Sequence, residues 1–140
     1  MNKFPDYTKD FLLFLECGFI AVSQLDEISA KDLFHACELL QPENPLVSIA
    51  KGYMQFTKME LGAAAKTFET LLKKDPHNEM AKVFLGLTLA LSPKTMSQGE
   101  KVLTEAEMKS QDPAVRTLAH DSLGFVDMHL KRPNGPGVNR

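Results

Sequence analysis

The residues able to do chemistry are few and scattered. Four histidines (His35, His77, His120, His129) and two cysteines (Cys17, Cys37) are the groups from which a metal site, an acid–base pair or a nucleophile could be built. His35 and Cys37 stand two apart, which on a helix turns them in different directions. His77 falls in an expected turn, His120 and Asp121 are neighbours, and His129 lies more than two helical turns past His120. Phosphate-cradling glycine loops are absent from the sequence, and its carboxylates are dispersed. The expectation is a protein that is not an enzyme and takes no metal or cofactor, with histidines that sit at the surface or are satisfied in the core.

Bulk composition narrows the alternatives. The 140 residues fit one domain, and 44% apolar residues suffice for a continuous core. The formal charge of −2, from 16 basic and 18 acidic residues, offers no basic stripe, so nucleic acid is not an expected partner. The most apolar run, Phe11 to Val22, is broken by Glu16 and too short to span a bilayer. Its acidic flank, Asp6 and Asp10, is unlike a secretory signal. No membrane insertion and a cytoplasmic location are expected, with Cys17 and Cys37 as buried free thiols.

The elements that position these residues are set by a repeat. Gly18, Ala30, Phe34 and Pro42 recur 34 residues later as Gly52, Ala64, Phe68 and Pro76, and Gly86 follows at the same interval. A 34-residue period marks the tetratricopeptide repeat, a helix-turn-helix unit that buries its apolar face by stacking on neighbours. Small residues in the first helix (Gly18, Gly52, Gly86) and second helix (Ala30, Ala64, Gly99) permit close approach, and Phe34, Phe68 and Leu103 are expected to fill the space between units. The fold class read here is all-α: a tetratricopeptide-like solenoid of three helix pairs plus a C-terminal capping helix. One domain covers about 1–131, with repeats at about 6–42, 43–76 and 77–112, a cap at 113–131 and a disordered tail over 132–140.

Capping signals mark the helices. Asp6 opens the first, a Ser29/Asp32 pair the second, Asn44 with Pro45 the third, Asn78 the fifth, a Ser97/Glu100 pair the sixth and Asp112 with Pro113 the last. A fourth helix runs from about Gly62 to Lys74. Lys51 stands where a core Leu is usual, which suggests that the third helix is rotated by about one position. Gly124, 38 residues past Gly86, is read as the repeat glycine of the cap.

Helical phase from the glycines selects the residues that look into a concave inner face: Leu12, Leu15, Phe19 and Val22, then Leu46, Ile49, Tyr53 and Phe56, then Met80, Val83, Leu87 and Ala90, with Leu118, Phe125 and Met128 in the cap. Nearly all are apolar, which predicts a groove for a hydrophobic helix. Tetratricopeptide domains that grip a peptide carboxylate need Lys and Asn there; this chain has Leu15, Phe19, Ile49 and Tyr53.

At the C-terminal end the run Ser110–Gln111–Asp112–Pro113, followed by Val115, Arg116, Thr117 and a helix to Met128, resembles the closing segment of the small type III secretion chaperones that guard the needle subunit, the SctG/YscG type. The likeness covers about 6–130. It implies a bacterial cytoplasmic chaperone that holds the helical C-terminal segment of the needle subunit in its groove, preventing premature polymerisation, in a hetero-oligomer with a small helical co-chaperone. Carried onto this chain, the groove residues are Phe19, Ile49, Tyr53, Phe56, Val83 and Leu87, joined from the helical phase by Leu46, Met80 and Phe125, and the co-chaperone interface is Phe11, Phe14 and Ile20. The alternatives are a translocator-binding chaperone of the same secretion system and a general tetratricopeptide scaffold or adaptor.

Overall fold

The computed structural model describes residues 8–131; the expected Asp6 cap and the 132–140 tail lie outside them. Among the described residues there are seven α-helices and no strand: α1 Thr8–Ser23, α2 Glu27–Leu40, α3 Pro45–Thr57, α4 Leu61–Lys74, α5 Glu79–Ala90, α6 Met96–Lys109 and α7 Pro113–Phe125. The last continues into a π-helical turn, Val126–Leu130.

Side-chain caps stop and start most of these helices. Asn44, Asn78 and Asp112 accept from the backbone N–H of Leu46, Ala81 and Ala114, each at 2.9 Å, which satisfies an orphan donor of the first turn. The second and sixth helices begin before their expected capping pairs. Asp26 is the N-cap of α2 and accepts from Ser29 N–H at 3.1 Å, so Ser29 lies inside the helix. Helix α6 starts at Met96, and the Thr95 hydroxyl turns back to donate to Leu89 O at 2.6 Å.

Helices α1, α3 and α5 each pair with the even-numbered helix that follows. The odd helices also touch in series, α1 to α3 to α5 to α7, and each even helix meets the next odd one. Close approach within a pair is made at the glycines. Phe34 covers Gly18, Phe68 covers Gly52, and Val102 and Leu103 cover Gly86, while Gly99 lies against the α5 backbone at Gly86 and Ala90. The Phe34, Phe68 and Leu103 side chains therefore lie first against their own pair, not only between pairs as expected. Phe68 reaches on to stack with Phe84 of the next pair at 5.6 Å between centroids.

The core forms three successive clusters, one over each junction. Phe11, Leu15, Ala21, Val22, Ala30, Phe34, Cys37 and Ala50 make the first; Ile49, Ala64, Phe68, Leu71 and Ala81 the second; Val83, Ala90, Leu103, Val115, Ala119 and Val126 the third. Burial of each large apolar side chain stabilises by roughly 1.5–3 kcal/mol.

Two expectations about register are corrected. Helix α3 is not rotated: Gly52 meets Phe68 as Gly18 meets Phe34, and Lys51 is solvent-exposed on the outer side. Gly124 is not the cap's repeat glycine, since it is exposed with open space around it. Leu103 follows Phe68 by 35, one residue more than the period, but Val115 and Ser122 follow Ala81 and Thr88 by 34. The extra residue ahead of α6 is given back before α7, and all four of those α5 and α7 positions are buried. The counterpart of Gly86 is His120, which is exposed, and no further helix among the described residues crosses it.

Candidate functional site

Two positions of the 34-residue register build one apolar row across α1, α3 and α5. Leu12, Leu46 and Met80 occupy one, Phe19, Tyr53 and Leu87 the other, and none of the six is fully buried. The row is rigid at its centre, where Tyr53 stands edge-on to Phe19 at 5.4 Å and to Phe84 at 5.8 Å between ring centroids. Such pairs contribute beyond their area, and they fix the aromatic edges that remain at the surface. Leu46 is 37% exposed and Phe56 partly so.

The expected groove set divides. Phe19, Leu46, Tyr53, Phe56, Met80 and Leu87 are accessible in part, but Ile49 (4% exposed) and Val83 (0%) are core residues, turned into the second and third clusters. They cannot meet a partner as the helices stand. Phe125 is 46% exposed and lies against the His129 ring at 4.9 Å, on α7. The row itself stops at α5, because the matching α7 positions are Ala114 and Asp121.

The expected co-chaperone set also divides. Phe11 is 1% exposed at the heart of the first cluster, where its carbonyl accepts from the Cys37 thiol at 3.6 Å, so it is structural. Phe14 packs at the edge of that cluster, and Ile20 is 54% exposed.

A surface missed by residue-type reasoning lies beside Ile20. Val47, Ala50 and Met54 of α3 pack into the first cluster; their counterparts in α5 are Ala81, Phe84 and Thr88, and in α7 Val115, Leu118 and Ser122, all at least partly buried. In α1 the same register positions are Leu13, Glu16 and Ile20, all exposed, with Leu13 at 53%. The 34-residue register was the signal that could have found them.

Clefts occur elsewhere. One of about 310 Å³ is lined by Leu72, Leu85, Val102, Ala106 and Val115 with Glu79, Lys82, Glu105 and Lys109 at its rim. Beside it Ser110 donates to Glu79 Oε2 at 2.6 Å, and Arg116 donates to Ser110 O at 2.8 Å, which pins the α6–α7 turn. Another, of about 260 Å³, lies by Val22, Leu25, Met54 and Lys58.

The charged groups are structural in geometry. Glu27 is held down to about 2 by Lys58 at 2.8 Å and Lys31 at 2.9 Å, which ties the α1–α2 turn to the α3–α4 turn. His120 is raised by Glu107, 2.8 Å from its Nδ1, across α6 and α7. The Cys37 thiol is pushed up by burial and so is unsuited to nucleophilic work. Among the described residues no group of three or more His, Cys, Asp or Glu is placed to hold a metal ion. No described helix is long and apolar enough to cross a membrane.

Comparison with known proteins identifies nothing: no family model, no curated protein and no solved structure matches the chain.

Proposed function

We propose that the chain is a tetratricopeptide-like helical solenoid whose work is to hold an apolar helical segment of another protein. The observation that carries this is the in-register row of Leu12, Leu46 and Met80 with Phe19, Tyr53 and Leu87, apolar at every position and accessible at each. A partner helix that buries a few large side chains there gains roughly 1.5–3 kcal/mol from each, enough to offset the cost of association.

The narrower reading rests on the C-terminal sequence resemblance alone. In it the chain is a bacterial cytoplasmic chaperone for a type III secretion needle subunit, with a small helical co-chaperone at the Phe14–Ile20 side of α1. Co-expression with such a needle subunit, followed by mass determination of the soluble complex, tests it. Leu12→Asp with Leu46→Asp is the suitable variant, since both side chains belong to the row and are exposed. Loss of the complex supports the row; an undiminished complex removes it.

A further inference from the structure

We propose that the chain by itself pairs with a second copy, head to head, through the open face of α1 at Leu13, Glu16 and Ile20. At every later junction these register positions are covered by the preceding helix pair, and at α1 they are left in water. The opposite end differs. There α7 lays Val115, Ala119, Ser122 and Val126 over α5 and α6, so the stack is closed. Head-to-tail addition has no apolar surface to use, because the α7 positions in register with Val83, Leu87 and Ala90 of α5 are Thr117, Asp121 and Gly124, exposed and without a large apolar side chain. The pairing left is isologous, with α1 against α1 across a two-fold axis, and it closes as a dimer instead of growing into a filament.

Charge on the same stripe favours an antiparallel arrangement. Lys9, Leu13, Glu16 and Ile20 recur at intervals of four, three and four, the spacing of a helix–helix seam, and all four are exposed. Two such stripes run antiparallel with Lys9 beside the partner's Ile20 and Leu13 beside the partner's Glu16. Lys9 of each copy then lies one helical turn from Glu16 of the other, and the symmetry makes two such pairs. The two α1 helices are about 24 Å long, a small contact, so the dimer belongs to the weak class and forms in the micromolar range or above.

The inference concerns the chain alone and does not depend on its cargo; a co-chaperone on this face would displace the second copy. Sedimentation equilibrium of the full chain from about 1 to 500 μM tests it. The expected result is a monomer–dimer equilibrium. Leu13→Asp with Ile20→Asp should leave a monomer with unchanged helical circular dichroism. Lys9→Glu and Glu16→Lys should each weaken pairing by about tenfold, and the double exchange should restore it. A wild-type chain that stays monomeric over the whole range overturns the proposal. So does a dimer that persists in the double aspartate variant, or association that continues past two copies.

Discussion

Gly52 lies so close to the ring of Phe68 that a Cβ on it would stand 2.5 Å from two of the ring carbons. Two effects oppose each other in Gly52→Ala. Alanine gains about 1 kcal/mol of helix propensity over glycine, while overpacking a buried site costs about 1–3 kcal/mol. Because Phe68 is 0% exposed and cannot swing away, the clash wins. Gly52→Ala should lower the stability measured by urea unfolding, and in a Phe68→Leu background the same change should stabilise. Gly124→Ala, at an exposed glycine with open space around it, should stabilise by about 1 kcal/mol in either background.

Leu25 and Met59, one period apart, hold the left-handed conformation (φ 62° and 60°) that ends α1 and α3. Leu25 N–H bonds Val22 O and Asp26 N–H bonds Ala21 O; Met59 and Glu60 repeat the pattern with Phe56 and Gln55. A side chain costs roughly 1–2 kcal/mol in this conformation, and Leu25, 92% exposed, has no packing to lose. Leu25→Gly should raise the melting temperature by about 3 °C. A lower melting temperature would show that the leucine side chain is held by contacts of its own.

The repeat was legible because close approach admits few residue types: the 34-residue recurrence of Gly18, Gly52 and Gly86 located the three tight helix pairs. The caps at Asn44, Asn78 and Asp112 were legible for a similar reason, as each lies next to a break. Ser29 and Ser97 misled because serine is also tolerated inside a first turn, where Asp26 and Met96 had already begun the helix. Phase alone could not separate Tyr53 from Ile49: they stand one turn apart on α3, and Ile49 clusters with Ala64, Phe68 and Leu71 of α4 and Ala81 of α5, whereas Tyr53 keeps an edge at the surface. Gly124 misled because a glycine in a sequence does not say whether anything crosses it. The π-helical turn over Val126–Leu130 had no counterpart in the apolar spacing.

Two ion pairs give pH signatures of opposite sign. Glu107 raises the folded His120 pKa above its ordinary value, so the pair's contribution is complete below about pH 6.5 and is lost as pH rises through the folded pKa. His120→Gln should therefore lower the melting temperature at about pH 6 and leave it unchanged in the alkaline range. Glu27 is depressed to about 2 by Lys58 and Lys31, so its contribution is complete above about pH 4.5 and is lost as pH falls towards 2. Lys58→Met should flatten that acid limb. Both pairs are exposed, so the effects are small and should shrink in high salt.

Capture of an apolar helix by the row of Leu12, Leu46 and Met80 with Phe19, Tyr53 and Leu87 can be read by calorimetric titration. The purified chain is titrated with a synthetic peptide of the C-terminal helix of a type III secretion needle subunit. The expected result is saturable 1:1 binding with a negative heat-capacity change, lost in Leu12→Asp with Leu46→Asp and kept in Leu13→Asp with Ile20→Asp. Binding that survives the Leu12 and Leu46 changes at wild-type affinity would remove the row as the binding surface.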